Sequence, residues 1–304
     1  MNTGKNDEVY DLTTDHFINA SDMTILVFKN ILNSLFTHGT TNNLINKSII
    51  KPIPKDKRKS LAESKNYRAI SMNTIISKII DHILIYLIGE KIDTSVYQFA
   101  YKQGFSTSLC SFLVSETIQY YRSHGSNVYM LSLDCTKAFD LVHHTKLFKL
   151  VISRSVCPLI IRLLINIYIM SKAVVKWNDC YSAEFSINNG VKQGAIISAP
   201  LFALYVEPML KRLNKTKVGC HVGNLCANAF AYADDLVILS PSCTALNEMI
   251  NVCELYAQEY KLKFNPEKCT LLIFSDSDFY FNNVNITICG SRIRNIKYEN
   301  HLGN

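Results

Sequence analysis

Residues 230–240 read FAYADDLVILS: an apolar run, the adjacent acids Asp234 and Asp235, and a second apolar run. Two strand-like stretches around a tight acidic turn predict a hairpin with carboxylates at its tip. Adjacent acids repel each other in a partly buried turn, so the hairpin calls for a counter-charge. A hard divalent cation supplies one: Mg²⁺ is typically held by one or two carboxylates plus substrate phosphates. An ordinary exposed acidic turn is the competing reading for an isolated Asp-Asp pair. A further acid, Asp134, about 100 residues upstream at the end of another apolar run, weighs against it.

The rest of the chain is long and apolar enough to fold around such a hairpin. It has 304 residues, 48% of them hydrophobic and 11% aromatic, which excludes a disordered polymer and allows two or three subdomains. Lys and Arg outnumber Asp and Glu by 32 to 25, a formal charge of +7, which suits a polyanionic partner without requiring one. The ten cysteines are scattered, and the opening MNTGKNDEVYDLTTDHF has no apolar signal core. Their thiols read as reduced, which points to an intracellular protein that is not secreted, with nucleus and cytoplasm both plausible. No apolar stretch reaches the roughly 18 residues of a membrane helix; the nearest, around Leu150 to Met170, is broken by Arg154 and Arg162.

Periodicity and caps predict helices over 21–37, 72–92, 108–123, 144–171, 198–213 and 245–260. Strands are predicted over 48–53, 127–134, 173–177, 183–187, 269–274, 285–289 and 292–297. Between the first strand and the second helix lies a basic loop with Lys55, Lys57, Arg58, Lys59, Lys65 and Arg68. The pattern is α+β with antiparallel strands rather than a regular βαβ alternation.

Asp134 closes the apolar run NVYMLSLD. Burial of that strand leaves Asp134 at its solvent-facing end, where it can meet Asp234 across a sheet. Two or three such carboxylates suit a pair of Mg²⁺ ions that activate a 3′-hydroxyl and stabilise leaving pyrophosphate; a plain strand-end acid is the alternative. Phe139, five residues on, has the bulk to exclude a ribose 2′-hydroxyl, or is simply a core ring. GVKQGAIIS, with Gln193 and Gly194, allows close approach by a nucleotide or template backbone, although a lone Gly-x-x-x-Gly is more often a turn. Lys268 in LKFNPEKCT suits proton donation to pyrophosphate, against a solvated surface lysine. Cys220, His221 and Cys226 lack zinc spacing and read as structural.

Taken in order, NYRAIS, QFAYKQGFST, LSLDCTKAFD, GVKQGAIIS, AYADD, LKFNPEKC and NHLGN span about residues 48–304. This succession resembles the reverse transcriptase family, most closely the type encoded by non-LTR (LINE-like) retrotransposons. The resemblance implies a right-hand polymerase with fingers, an antiparallel palm sheet and a missing thumb. It implies a lead-in over 1–47, fingers over 48–126 and 144–172, palm over 127–143 and 173–290, and a truncated primer grip over 291–304 that includes His301, Leu302 and Gly303. Asp134, Asp234 and Asp235 take the catalytic metal-binding positions, with Asp235 third. Phe139 takes the steric-gate position. Arg68, and more weakly Lys55, take positions that contact the incoming triphosphate, and Gln193 and Gly194 lie beside nucleotide and template. Lys268 takes the position of the pyrophosphate proton donor. The implied cofactor is two Mg²⁺ ions, with Mn²⁺ as a substitute; the implied partners are an RNA template, a DNA primer and dNTPs. Ala69, Ala100, Lys102 and Ala199 depart from the family pattern. An RNA-directed RNA polymerase, a catalytically silent nucleic-acid-binding relic and a group II intron maturase are the alternatives; Phe139 argues against the first.

Overall fold

The computed structural model describes residues 6–58, 60–275 and 284–296. In chain order its elements are α1 (Thr14–Ile18), α2 (Asp22–His38), α3 (Asn43–Asn46), β1 (Lys47–Pro54), β2 (Tyr67–Asn73), α4 (Ile75–Ile88), α5 (Thr107–Ser123), β3 (Val128–Leu133), α6 (His144–Ile152), α7 (Pro158–Ile169), β4 (Lys172–Trp177), β5 (Cys180–Tyr181), β6 (Phe185–Ser186), α8 (Ser198–Lys215), β7 (His221–Val222), β8 (Leu225–Cys226), β9 (Ala229–Tyr232), β10 (Asp235–Ser240), α9 (Cys243–Tyr260), β11 (Thr270–Phe274), β12 (Thr287–Ile288), β13 (Ser291–Arg292) and β14 (Arg294–Asn295). Among the described residues, no helix is long and apolar enough to cross a membrane.

Local chemistry sets the helix ends. The hydroxyls of Ser21, Thr74, Ser106 and Ser242 accept the N–H groups of Thr24, Ser77, Leu109 and Ala245, and so cap α2, α4, α5 and α9. Gly39, with φ +60°, ends α2 in the left-handed conformation. Pro158 opens α7, where its missing N–H costs nothing. The helices expected over 144–171 are α6 and α7, separated before Pro158. The helix expected over 72–92 begins only at Ile75, because Tyr67–Asn73 is a strand. The strands expected over 285–289 and 292–297 shrink to three two-residue pieces.

The chain forms two compact units, Met1–Asp93 with His143–Leu201, and Thr94–Val142 with Phe202–Asn304. Strand pairing explains the limits of these units. In the first unit β4 runs parallel to β1, with Lys47 opposite Lys172, so 172–186 belongs to the N-terminal sheet β2-β1-β4-β5. In the second unit the Phe99 N–H donates to the Ala231 carbonyl at 2.8 Å, which ties 94–123 to the sheet β14-β11-β3-β10-β9. All pairings in that sheet are antiparallel except β11 with β14.

The second unit's core is apolar. Phe99, Cys110, Val114, Met130, Phe230, Val237 and Leu239 pack on one face of the sheet. Burial of such side chains stabilises by about 1.5–3 kcal/mol each. The first unit's interior is more polar, with Asn46, Ser48, Asn73, Asp81 and Lys192 all less than 9% exposed.

Candidate active site

The tip of the β9–β10 hairpin is a two-residue turn, Ala233–Asp234, between the paired residues Tyr232 and Asp235. Ala233 has φ +58°, which costs a residue with a Cβ about 1–2 kcal/mol. Gln98, fully buried, offsets that cost. Its Oε1 accepts the Ala233 N–H at 3.0 Å and the Ala100 N–H at 3.0 Å, and its Nε2 donates to the Ala233 carbonyl at 3.4 Å. The strained peptide is thus clamped from both sides by a side chain 135 positions away. Gln98 was not singled out from the sequence, where a glutamine in QFAYKQGFST carries no signal of its distant partner.

Register brings the carboxylates together. Leu236 pairs with Leu133 across β10 and β3, so Asp134, directly after β3, and Asp235, at the start of β10, stand at the same end of the sheet. Asp234 follows in the turn. Both Asp134 and Asp234 bear on Cys135, whose thiol is pushed far up by burial first and by these two charges second. Asp234 also bears on Tyr101, pushed up to about 12 chiefly by burial. Asp235 acts on Cys110, likewise raised to about 12 chiefly by burial. Asp134 and Asp234 therefore share a neighbour, while Asp235 leans toward the α5 side.

The segment after β3 is sewn to the loop before β11. Thr136 N–H donates to the Lys263 carbonyl at 2.8 Å and Asn265 N–H to the Asp134 carbonyl at 2.9 Å. That seam sets Lys268 against Asp134, with Nζ 3.4 Å and 3.5 Å from the two carboxylate oxygens. Phe139 lies in the turn beyond Asp134 and stacks on buried Phe202, with ring centroids 4.5 Å apart.

The donor set fits a hard cation. Three carboxylates stand at strand ends, with Asp234 and Asp235 exposed. Among the described residues no three His, Cys, Asp or Glu side chains are gathered into a ready-made cage. Mg²⁺ does not need one, since it is commonly held by one or two carboxylates together with phosphate oxygens and water.

The remaining expected site residues lie in the first unit. Arg68 is exposed on β2, opposite Ile53 of β1, and its side chain has no hydrogen-bond or ion-pair partner among the described residues. Lys55 donates from Nζ to the Lys65 carbonyl at 2.9 Å. The Gln193–Gly194 loop is held against β2, where the Ser71 N–H donates to the Gln193 carbonyl at 2.7 Å. A Cβ on Gly194, whose φ is +111°, would stand 2.8 Å from the Ser71 carbonyl oxygen, so only glycine fits there. His301, Leu302 and Gly303 lie outside the described residues.

The family model for reverse transcriptase (RNA-dependent DNA polymerase) matches residues 53–298. The chain belongs to the reverse transcriptase family. The uncharacterized 149 kDa protein of transposon TX1 from Xenopus laevis is 27% identical over 252 residues, 81% of this chain and 19% of that protein. The Pol polyprotein of the type-2 retrotransposable element R2DM from Drosophila melanogaster is 25% identical over 205 residues, 67% of this chain and 19% of that protein. The chain thus spans about a fifth of the length of these relatives. Among solved structures, apo telomerase from Candida tropicalis truncated from its C-terminal domain superposes with a TM-score of 0.53 at 14% identity, over 84% of this chain and 54% of that one. This likeness concerns the fold.

One further device in this reverse transcriptase domain supports the Gln193–Gly194 loop. Asp81, 3% exposed on α4, accepts the Ile196 N–H at 3.0 Å. Lys192, 8% exposed, donates from Nζ to the Asn46 carbonyl at 3.2 Å. Burial pushes the Asp81 carboxyl up to about 6 and the Lys192 ammonium down to about 8. The sequence signal was an acid within an otherwise apolar helical face, IIDHILI, and it passed unread.

Two outcomes are expected. Gln98→Leu keeps the volume and strands the Ala233 peptide, so urea unfolding should show a loss of about 3 kcal/mol and amide exchange at Ala233 should accelerate. The Asp81 shift has a pH signature. Between about 4 and 6 the native chain holds a proton that the unfolded chain has released, so stability falls as pH rises through that window, by about 3 kcal/mol. Between about 8 and 10.5 the unfolded chain holds the Lys192 proton that the native chain has lost, so stability rises again with pH. Urea midpoints measured across pH should show this minimum between 6 and 8, and Asp81→Asn should abolish its acidic limb.

Proposed function

We propose that the chain is the polymerase core of a non-LTR retrotransposon reverse transcriptase, adding dNTPs to a DNA primer's 3′-hydroxyl on an RNA template. The observation that supports this reading is the clamped β9–β10 hairpin, whose tip carries Asp234 and Asp235 and whose strand β10 pairs with the strand that ends just before Asp134. Asp134 and Asp234, with Asp235 third, would hold two Mg²⁺ ions, or Mn²⁺ in their place. When bound, the ions supply charge neutralisation at the attacking hydroxyl and the departing pyrophosphate.

The chain's own groups do the rest. Phe139, pinned by its stack on Phe202, narrows the space beside the carboxylates and disfavours a ribose 2′-hydroxyl. Lys268, resting on Asp134, is placed to give a proton to pyrophosphate. In the first unit, exposed Arg68, and secondarily Lys55, offer cations to a triphosphate. The bare backbone at Gly194, beside Gln193, admits a nucleotide closely. Positioning and electrostatics of this kind account for most of the acceleration in nucleotidyl transfer.

Primer extension on an RNA template with a DNA primer, dNTPs and Mg²⁺ or Mn²⁺ tests the reading. Asp234→Asn should reduce incorporation at least about a thousandfold, the equivalent of several kcal/mol of metal-borne stabilisation. A folded parent chain that binds template–primer but incorporates nothing would instead identify a silent binding relic. In the same assay Phe139→Ala should raise rNTP use relative to dNTP by about tenfold or more, with dNTP incorporation retained; an unchanged ratio would remove Phe139 from the gate.

A further inference from the structure

The dipeptide Asn-Gly occurs once in the chain, at Asn189–Gly190. It opens the loop of the first unit that carries Gln193 and Gly194. Both residues lie outside the helices and strands, with Asn189 exposed and Gly190 buried. Gly190 has φ +87°, a conformation that a residue with a Cβ resists.

Two groups in this dipeptide are unengaged. The Asn189 carboxamide has no hydrogen-bond partner among the described residues, so nothing holds it in one rotamer. The Gly190 N–H likewise has no acceptor there. A buried N–H without an acceptor is uncommon and costly. An unheld side-chain carbonyl carbon therefore neighbours an unengaged backbone nitrogen, and Gly190 has no side chain to hinder their approach.

The flanking backbone is the opposite case. The Ile187 N–H donates to the carbonyl of buried Ser171 at 3.0 Å. The Gly190 carbonyl accepts from Nε2 of buried His144 at 2.7 Å. The chain is thus pinned on both sides of Asn188 and Asn189. Beyond the second pin, the Gln193 carbonyl accepts the Ser71 N–H at 2.7 Å and the Ile196 N–H donates to Asp81 at 3.0 Å. So short a span between fixed points has little slack for an added backbone atom.

We propose that Asn189–Gly190 is a site of spontaneous deamidation through a succinimide, and that the isoaspartate it yields unseats the Gln193–Gly194 loop. The Gly190 nitrogen gives its proton to hydroxide and bonds to Cγ of Asn189. The bond from Cγ to the side-chain nitrogen breaks, and that nitrogen takes a proton from water and leaves as ammonia, which regenerates hydroxide. Ring closure also removes the unpaired N–H. Water then opens the ring. Attack at Cγ gives aspartate. Attack at the main-chain carbonyl carbon of Asn189 releases that carbon as the carboxylate and leaves the chain running through Cγ. This second product, isoaspartate, adds a methylene to the backbone and a negative charge to the loop. With Ile187 held by Ser171, the added length is taken up by releasing Gly190 from His144, and the loop that follows moves with it. The chemistry needs only water and is independent of polymerase activity.

The test is incubation of the full chain at mildly alkaline pH, followed by peptide mapping with mass spectrometry and by amide exchange at Ser71 and Ile196. Asn189 should convert about tenfold or more faster than any other asparagine, because every other one is followed by a residue with a Cβ. Isoaspartate should appear beside aspartate at that position. In the converted chain the Ser71 and Ile196 amides should exchange about tenfold faster, as their loop partners are lost. Asn189→Gln should neither convert nor loosen over the same incubation. Asn189→Asp, which adds the charge without the methylene, should keep both amides protected. An Asn189 that converts no faster than the other asparagines overturns the proposal. So does a converted chain whose two amides exchange as before, and so does an Asn189→Asp chain that exposes them as fully as conversion does. Neither readout uses nucleotide incorporation, so a fresh chain that synthesises nothing sinks only the polymerase reading.

Discussion

The antiparallel pairing of β3 with β10 is the constraint on which the second unit depends. Side chains alternate across a strand, so a slip of one residue would turn Val237 and Leu239 out of the core and move Asp235 to the other face. The apolar cluster of Met130, Val237, Leu239, Phe230 and Val114 fixes the register, and the register fixes the acids. The core thereby does the positioning that the acids cannot do for themselves, since their mutual repulsion favours separation. Gln98 adds the last step by holding the Ala233 peptide in a conformation that the hairpin alone would resist.

The first unit is organised differently. Its central strand β1 contains Pro52 and Pro54, which give up ladder hydrogen bonds, and its interior holds Asp81, Lys192, Asn46 and Asn73. Buried polar side chains cost stability unless they are hydrogen-bonded. What Asp81 gives here is an acceptor for a loop N–H that no strand or helix partner satisfies. A rigid loop with a bare glycine at its apex needs such anchors, because its own backbone forms no regular ladder. The unit gives up some stability for a loop held in one conformation by Ser71, Asp81 and Asn46.

Much of this was legible in the sequence because the signals are local. The hairpin, the strand ending on Asp134 and the capped helices α2, α5 and α9 each follow from a few consecutive residues. The reverse transcriptase assignment followed from the order of short motifs, none specific alone. β2 was missed because YRAISMN runs into a helical apolar pattern, and its strand character comes from pairing with β1. The parallel β1–β4 pairing was not legible because it joins segments more than a hundred residues apart. Gln98 and Asp81 were unreadable for a related reason. A buried polar side chain takes its meaning from its partner, and both partners lie more than a hundred positions away.

The charge at the end of the second unit's sheet has a chemical consequence. Lys268, 62% exposed, holds its ammonium 3.4 Å from Asp134. An exposed pair of that geometry is worth at most about 1 kcal/mol, so it neither neutralises the acids nor blocks them. Carboxylates standing at strand ends would leave positions on a bound cation for phosphate oxygens and water. A divalent cation held by them would gain ligands from a triphosphate, whose phosphate oxygens would complete its coordination.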